Sequence, residues 1–287
     1  MHTPQAAIFD KSARQHAFLE FRLSPTGTES AGRVIRTACN SAPPAVAVVV
    51  AFGPTLLRRL AMHVPLPAFG LPDAMPGTQS DLFVWLQAAH RSDIFDAARQ
   101  MIAALSGEFE LVLEQPAFVY HDSRDLTGFV DGIGNPEGDA ARQAACVPSG
   151  SPGAGGSFVM GQRWCHRLDA FAALPVADQE RVIGRTKQDA VEFDAERMPP
   201  DAHVARTDIS RDGVAQKIWR RSVPWGDSRT HGLYFLAFSC DVQRFDTLLR
   251  SMTGQSTDGI RDRLLDYSVP ETGSYWYAPP SQWLAGA

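Results

Sequence analysis

Apolar residues recur along this chain with two periods, and the places where one gives way to the other delimit the elements. Residues 16–23, His-Ala-Phe-Leu-Glu-Phe-Arg-Leu, alternate with the period of two expected of a strand. Residues 30–38 carry a short helical pattern leading to Pro43-Pro44, and 45–52 form a β-branched run that predicts a buried strand. A helix over 55–62, a Pro/Gly-rich loop over 64–78 and a strand over 81–87 follow. From Ser92, with Asp93 in the first turn, Ile94, Phe95, Ala98, Met101, Ile102 and Leu105 supply one apolar helical face that ends at Gly107. Strands over 109–113 and 117–120 complete a β-α-β-β-α-β order in which antiparallel pairing is expected.

Residues 137–157 are rich in Gly, Ala, Ser and Pro and predict a linker or long surface loop. Beyond them a similar order returns: a strand over 158–167, a helix over 176–184, and strands over 204–209 and 217–223 about the turn at Asp212-Gly213. A buried strand over 232–239 and a helix over 242–252 follow. The expectation is an α+β fold, with an N-terminal half over 1–136, a linker over 137–157 and a C-terminal half over 158–287. Duplication rests on element order alone, since no residue-level repeat is visible.

Composition narrows the function. The apolar share of 44% and charged share of 21% are those of a globular protein. A formal net charge of −5 argues against nucleic-acid and anionic-membrane partners, which call for a basic surface. Cys39, Cys146, Cys165 and Cys240 lie far apart, so neither a disulfide framework nor a zinc knuckle is expected, and no C-x-x-C-H is present for covalent haem attachment. Met1 to Gln5 lacks the basic and apolar regions of a secretory signal, and no apolar run is long enough to span a bilayer. A cytoplasmic location is the expectation.

The candidate chemistry gathers at four places. Thr127-Gly128-Phe129-Val130-Asp131-Gly132-Ile133-Gly134-Asn135-Pro136 sets one carboxylate among glycines, which let a backbone approach a flat partner closely; a solvated turn is the alternative. In Lys217-Ile218-Trp219-Arg220-Arg221-Ser222-Val223, alternation places Arg220 and Ser222 on one face and Trp219 and Arg221 on the other. His203 precedes an expected strand and competes with seven other histidines as a metal ligand. Asp258 and Asp262 are spaced i, i+4 at the start of an expected helix, where they would also offset the helix dipole.

Together, Asp125-Leu126-Thr127-Gly128-Phe129-Val130-Asp131-Gly132, Asn135-Pro136, Asp201 to Arg220, Thr230 to Phe235 and Gly273 to Pro279 resemble the dye-decolorising peroxidases, specifically their compact B-type intracellular branch. That resemblance implies two ferredoxin-like halves with antiparallel sheets in one dimeric α+β-barrel unit. It also implies a haem b (iron protoporphyrin IX) cofactor, with His203 as the iron ligand and Asp131 and Arg220 as the catalytic pair on the peroxide side. Gly132, Ile133, Gly134 and Ser222 would line the cofactor. Asp262, or secondarily Asp258, would accept a hydrogen bond from the second ring nitrogen of His203.

The implied reaction is reduction of hydrogen peroxide through a ferryl intermediate, followed by one-electron oxidation of dyes, phenols or other small reductants. Asp131, ionised at its ordinary pKa, would move the proton, and Arg220 would stabilise the developing charge. Trp219, Trp225, Tyr234, Tyr275, Trp276 and Tyr277 are available to relay electrons to the surface, although packing alone accounts for them too. A homo-oligomer, dimer or larger, is implied as well. Two departures, Ile133-Gly134 where relatives carry Thr-Glu and Ser222 where some carry Asn, keep a haem-carrier or sensor reading open as the alternative. A chlorite-dismutase-like enzyme is a further one, although that family lacks the Gly-Phe-Val-Asp-Gly loop.

Overall fold

The computed structural model describes residues 3–25, 30–70 and 75–286. Residues 71–74 of the expected 64–78 loop, and Met1 and His2 of the N-terminal segment, lie outside the described residues. The first half runs β1 (Gln15–Leu23), α1 (Ala31–Asn40), β2 (Ala47–Phe52), α2 (Pro54–Arg59), β3 (Leu82–Ala88), α3 (Arg91–Leu105) and β4 (Phe109–Phe118). After α4 (Gly138–Ala145) come β5 (Ser157–His166), α5 (Leu168–Ala172), α6 (Val176–Ile183) and α7 (His203–Thr207). A small hairpin, β6 (Ser210–Arg211) with β7 (Val214–Ala215), leads to β8 (Trp219–Arg220), β9 (Val223–Gly226), β10 (His231–Ser239) and α8 (Gln243–Met252). The chain ends with β11 (Ser268–Pro270), β12 (Ser274–Ala278) and α9 (Ser281–Ala285).

One antiparallel sheet joins the halves in the order β4-β1-β3-β2-β12-β5-β10-β8, with β11 paired to β5 and β9 to β10. The junction is the β2–β12 pair, where Tyr277 faces Phe52. β4 curls round to lie alongside β9, so the sheet forms a nearly closed barrel. Period-two alternation sends Phe18 of β1, Phe83 and Trp85 of β3, Tyr234 of β10 and Trp276 of β12 into the barrel. Their rings stack: Phe18 on Tyr234 at 3.9 Å between centroids, and Phe83 on Trp276 at 4.6 Å. The opposite face, with Leu19, Phe21, Leu82 and Val84, is covered by helices.

Several expectations are corrected. Of the expected 204–209 strand, residues 204–207 belong instead to the helix α7, which ends at Thr207. Its geometry is fixed from outside, by the buried Arg206 guanidinium bonding Asp258 at 2.7 Å and the Ile260 carbonyl at 3.3 Å, and this outweighs the β-branched composition. The expected 217–223 strand is broken after Arg220, although its alternation persists. The 137–157 segment contains α4, whose alanine-rich sequence favours helix and whose Ala141 and Ala145 pack against the barrel-interior cluster. The expected strands over 109–113 and 117–120 are one, and the helix expected from Asp258 is a short 3₁₀ turn, Arg263–Asp266.

Candidate functional site

A cavity opens between the outer face of β5 and β10 and helix α8. Met160, Trp164, Leu233, Phe235, Leu248, Leu249 and Met252 form its apolar walls, and α7, residues 125–134 and residues 216–222 close it in. It holds about 1550 Å³ of atom-free space, its mouth included. Among the described residues, no helix is long and apolar enough to cross a membrane.

His203 is the first residue of α7 and faces this cavity. Its Nδ1 lies 2.7 Å from Oδ2 of Asp262, a fully buried carboxylate. Asp262 is held in turn: its Oδ1 accepts from Leu264 N–H at 2.9 Å as the cap of the 3₁₀ turn, and its own N–H donates to Met252 O at 2.8 Å. The imidazole is thereby oriented by a rigid acceptor, and among the described residues its Nε2 has no hydrogen-bond partner. The second candidate acceptor, Asp258, is engaged by Arg206 and Ser256 instead.

The glycine loop is fastened from both sides. Phe129 buries itself against Phe171, Val182 and Ile183, and Arg124 donates to the carbonyls of Gly128 and Lys187, each at 2.9 Å. Gly132 sits at φ +80°, a conformation that side-chain-bearing residues resist, and its N–H donates to Asp131 Oδ1 at 2.6 Å. Asn135 clamps the loop to β8: its Nδ2 donates to Arg220 O at 2.9 Å, and its Oδ1 accepts from Arg220 N–H at 3.0 Å. Gly134 leaves room for the Arg220 guanidinium, whose Nη2 would lie 3.4 Å from a Cβ there.

Burial pushes the half-buried Asp131 carboxyl above its usual value, with the nearby Asp125 charge adding to the rise. The Arg220 guanidinium opposes the rise without forming a direct ion pair with Asp131. The sequence-based expectation of an ordinary Asp131 therefore shifts: the carboxyl holds its proton to a higher pH. Ser222 accepts from Leu236 N–H at 3.4 Å and lines the cavity, Gly132 and Gly134 line it too, and Ile133 is largely exposed at its edge. The structure thus brings His203, Asp131, Arg220, Ser222 and the glycine loop to one space, with Asp262 directly behind His203. The aromatic residues considered as relays to the surface are all buried, so none of them provides a surface terminus.

Sequence reasoning missed a second cluster on the same wall. His166, at the end of β5, lies 3.0 Å through Nε2 from Asp125 and 2.8 Å through Nδ1 from Ser268 Oγ. Burial alone would raise Asp125, but the His166 ring and the hydrogen bonds from His166 and Thr127 outweigh it and hold the carboxyl below its usual value. The clamp at Asn135 was also missed. Its Asn-Pro signal reads locally as a turn, and its partner is 85 residues away.

The Dyp-type peroxidase, C-terminal family matches residues 122–283. A dye-decolorizing peroxidase from Mycolicibacterium paratuberculosis is 34% identical over 231 residues, covering 79% of this chain and 65% of that protein, so the chain spans slightly less than two thirds of this relative. A putative dyp-type peroxidase from Shewanella oneidensis superposes with a TM-score of 0.91 at 29% identity, over 100% of this chain and 99% of that one. A DypB variant from Rhodococcus jostii RHA1, solved in complex with heme, superposes with a TM-score of 0.86 at 30% identity, over 98% of each chain. The chain belongs to the dye-decolorizing peroxidase family.

Proposed function

From that membership and the geometry of the cavity, we propose that the protein is a haem-dependent peroxidase that uses hydrogen peroxide to oxidise small one-electron donors such as dyes or phenols. The observation that carries this reading is the His203–Asp262 pair, which orients an imidazole with Nε2 unbonded into the same cavity as Asp131 and Arg220. The residues fit a b-type haem: one strong nitrogen donor, apolar walls suited to a flat porphyrin, and a glycine loop that allows close approach. The R. jostii relative solved with heme supports the assignment. When bound, haem would supply the iron that binds peroxide and accepts its oxidising equivalents.

His203 would hold the iron, and Asp262 would fix its tautomer and make the imidazole a stronger donor. Asp131 would take the peroxide proton on its carboxylate and return it to the departing oxygen. The Arg220 guanidinium would favour the ionised form of Asp131 and stabilise negative charge that develops as the O–O bond breaks. The Ser222 hydroxyl, already accepting from Leu236, keeps its own hydrogen available to a water or peroxide.

The test is a visible spectrum of the protein titrated with hemin, then mixed with peroxide in a stopped-flow instrument. A Soret band with histidine-ligated features, lost in His203→Ala, and a rapid peroxide-induced change are expected. A protein that stays colourless with hemin overturns the assignment. A protein that binds hemin but is indifferent to peroxide, and hands the hemin to an apo-acceptor, is a carrier instead.

A further inference from the structure

Two charges outside the chemistry above are accommodated differently. Glu20, on β1, points into the barrel and is only 2% exposed. It accepts from the Tyr234 hydroxyl at 2.8 Å, and burial raises its carboxyl to about 7, so a proton can discharge it. Arg221 has no such escape: burial brings its guanidinium down only to about 10, which leaves it charged at neutral pH. It is held in place, donating through Nη1 to Ile8 O at 2.7 Å and lying 4.9 Å from the centroid of the Trp85 ring. Among the described residues no carboxylate pairs with it, and the acid that acts on its charge, Asp10, accepts from Ser12 N–H at 2.8 Å.

Arg221 lines a second, smaller space that shares Asp131, Gly132, Arg220 and Ser222 with the cofactor cavity. Its other walls include Lys11, His16, Tyr120 and Arg124, and it holds about 780 Å³ of atom-free space, its mouth included. Arg124 is engaged by Asp122 at 2.9 Å and by two carbonyls. Lys11, whose Nζ lies 4.9 Å from the Trp219 ring centroid, makes no ion pair among the described residues, nor do Arg220 and Arg221. Three cations thus face one acid, Asp131, which burial itself pushes toward its neutral form. His16 adds a directed donor. Its Nδ1 accepts from the Trp85 indole N–H at 3.2 Å, which leaves the ring proton on Nε2, and that N–H has no acceptor among the described residues. Burial and Arg221 hold the ring down to about 3, so it is a neutral donor.

We propose that this second space is a binding site for a small monovalent anion, of the size of bromide or nitrate, held by Arg221, Lys11 and the His16 N–H. The site itself stands without the peroxidase reading; its effect on the reaction rests on that reading. A charge buried without a partner is costly, and a bound anion supplies the partner that the fold does not. The donors also select the ligand. A guanidinium and a single ring N–H offer directed hydrogen bonds to a halide or a planar oxyanion. A doubly charged anion such as sulfate gives up far more hydration on entering, because that cost grows with the square of the charge.

Occupancy bears on the reaction because Arg220 and Asp131 border both spaces. An anion in the second space competes with the Asp131 carboxylate for the Arg220 guanidinium and sets a further negative charge near it. Both effects disfavour the ionised Asp131 that accepts the peroxide proton. The other groups acting on Asp131 are Asp125 and His203, which line the cofactor cavity and not the second space. The bound anion therefore slows the reaction with peroxide from outside the cofactor cavity.

The test is the chloride-35 NMR line width of the hemin-loaded protein in sodium chloride, with sodium nitrate as competitor, alongside stopped-flow kinetics with peroxide. Saturable excess broadening that nitrate displaces is expected. Arg221→Gln should weaken binding about tenfold or more. Lys11→Gln, at an exposed side chain where folding is not at stake, should weaken it about two- to fivefold. No saturable broadening in wild type, or undiminished broadening in both variants, overturns the site. So does a Soret shift with the same nitrate midpoint, which places the anion on the iron. Saturating nitrate should slow the peroxide reaction by up to about tenfold, and sulfate at equal ionic strength should not. Equal slowing by sulfate overturns the link to Asp131, as does a nitrate effect that survives in Arg221→Gln. If the Soret band ignores peroxide in every salt, the peroxidase reading fails separately, and the line widths still decide the site.

Discussion

The two halves of the barrel repeat an order of elements but treat the space between sheet and helix in opposite ways. In the first half, α1 and α3 press on the outer face of β1 and β3, and Leu19, Phe21, Ile35, Leu82, Leu86 and Met101 fill the gap completely. In the second half, the outer face of β5 and β10 looks onto a cavity that α8 covers only in part. The difference lies in the chain between strands. One helix, α1, separates β1 from β2, whereas α5, α6, α7 and a small hairpin separate β5 from β8. That longer excursion carries His203 to the cavity rim. A filled gap stabilises; an open one can hold a cofactor.

The contrast breaks most sharply at His203. His203→Ala should remove the histidine-ligated spectrum and with it the peroxide response, while the thermal melting of the hemin-free protein shifts little; a retained ligated spectrum would place the iron elsewhere. On the filled side, Leu19→Ala should lose about 2–5 kcal/mol of stability through transfer and cavity costs, read from the denaturant midpoint. Its hemin affinity should stay that of wild type, and a loss there would show that the halves are not independent in this respect.

Back at the cavity, Asp131→Asn should slow the reaction with peroxide about 10²- to 10³-fold, the usual cost of removing a preorganised catalytic group. In wild type the carboxyl must be ionised to accept a proton, and its pKa is raised. The rate should therefore fall as the pH drops through that raised value, at a higher pH than for an ordinary aspartate, and the dependence should vanish in the variant. Asp262→Asn, which weakens the support behind His203, should lower hemin affinity about 10- to 100-fold in a titration. The smallest effect is expected for Gly134→Ala, whose added methyl would sit 3.4 Å from Arg220 Nη2. A less than tenfold change in peroxide rate is expected from that small displacement; a larger one would mean that the Arg220 position is set far more tightly.

Much of this was legible along the chain. β3, β5 and β10 were readable because their alternation or continuous apolar character is a local property, and α3 because its apolar face and first-turn Asp93 are local too. The glycine loop and Arg220–Ser222 alternation also declared themselves, since they depend on residue type and spacing. α7 did not: Val204, Thr207 and Ile209 favour a strand, and only the Arg206–Asp258 and His203–Asp262 contacts, 52 and 59 residues apart, make the helical turn the better choice. Glu20 was likewise unreadable, because an acid in an alternating strand looks like a solvent-facing position until the sheet closes over it.

By itself, then, the sequence determined most of the strands and longer helices and which side chains are capable of the chemistry, because periodicity and residue type act over a few neighbouring positions. Tertiary structure decided that His203 turns toward the cavity with Asp262 behind it, and that Asp131 and Glu20 hold their protons more tightly than free carboxylates. Those outcomes depend on burial and on partners brought together across the barrel, and neither quantity exists until the chain has closed on itself.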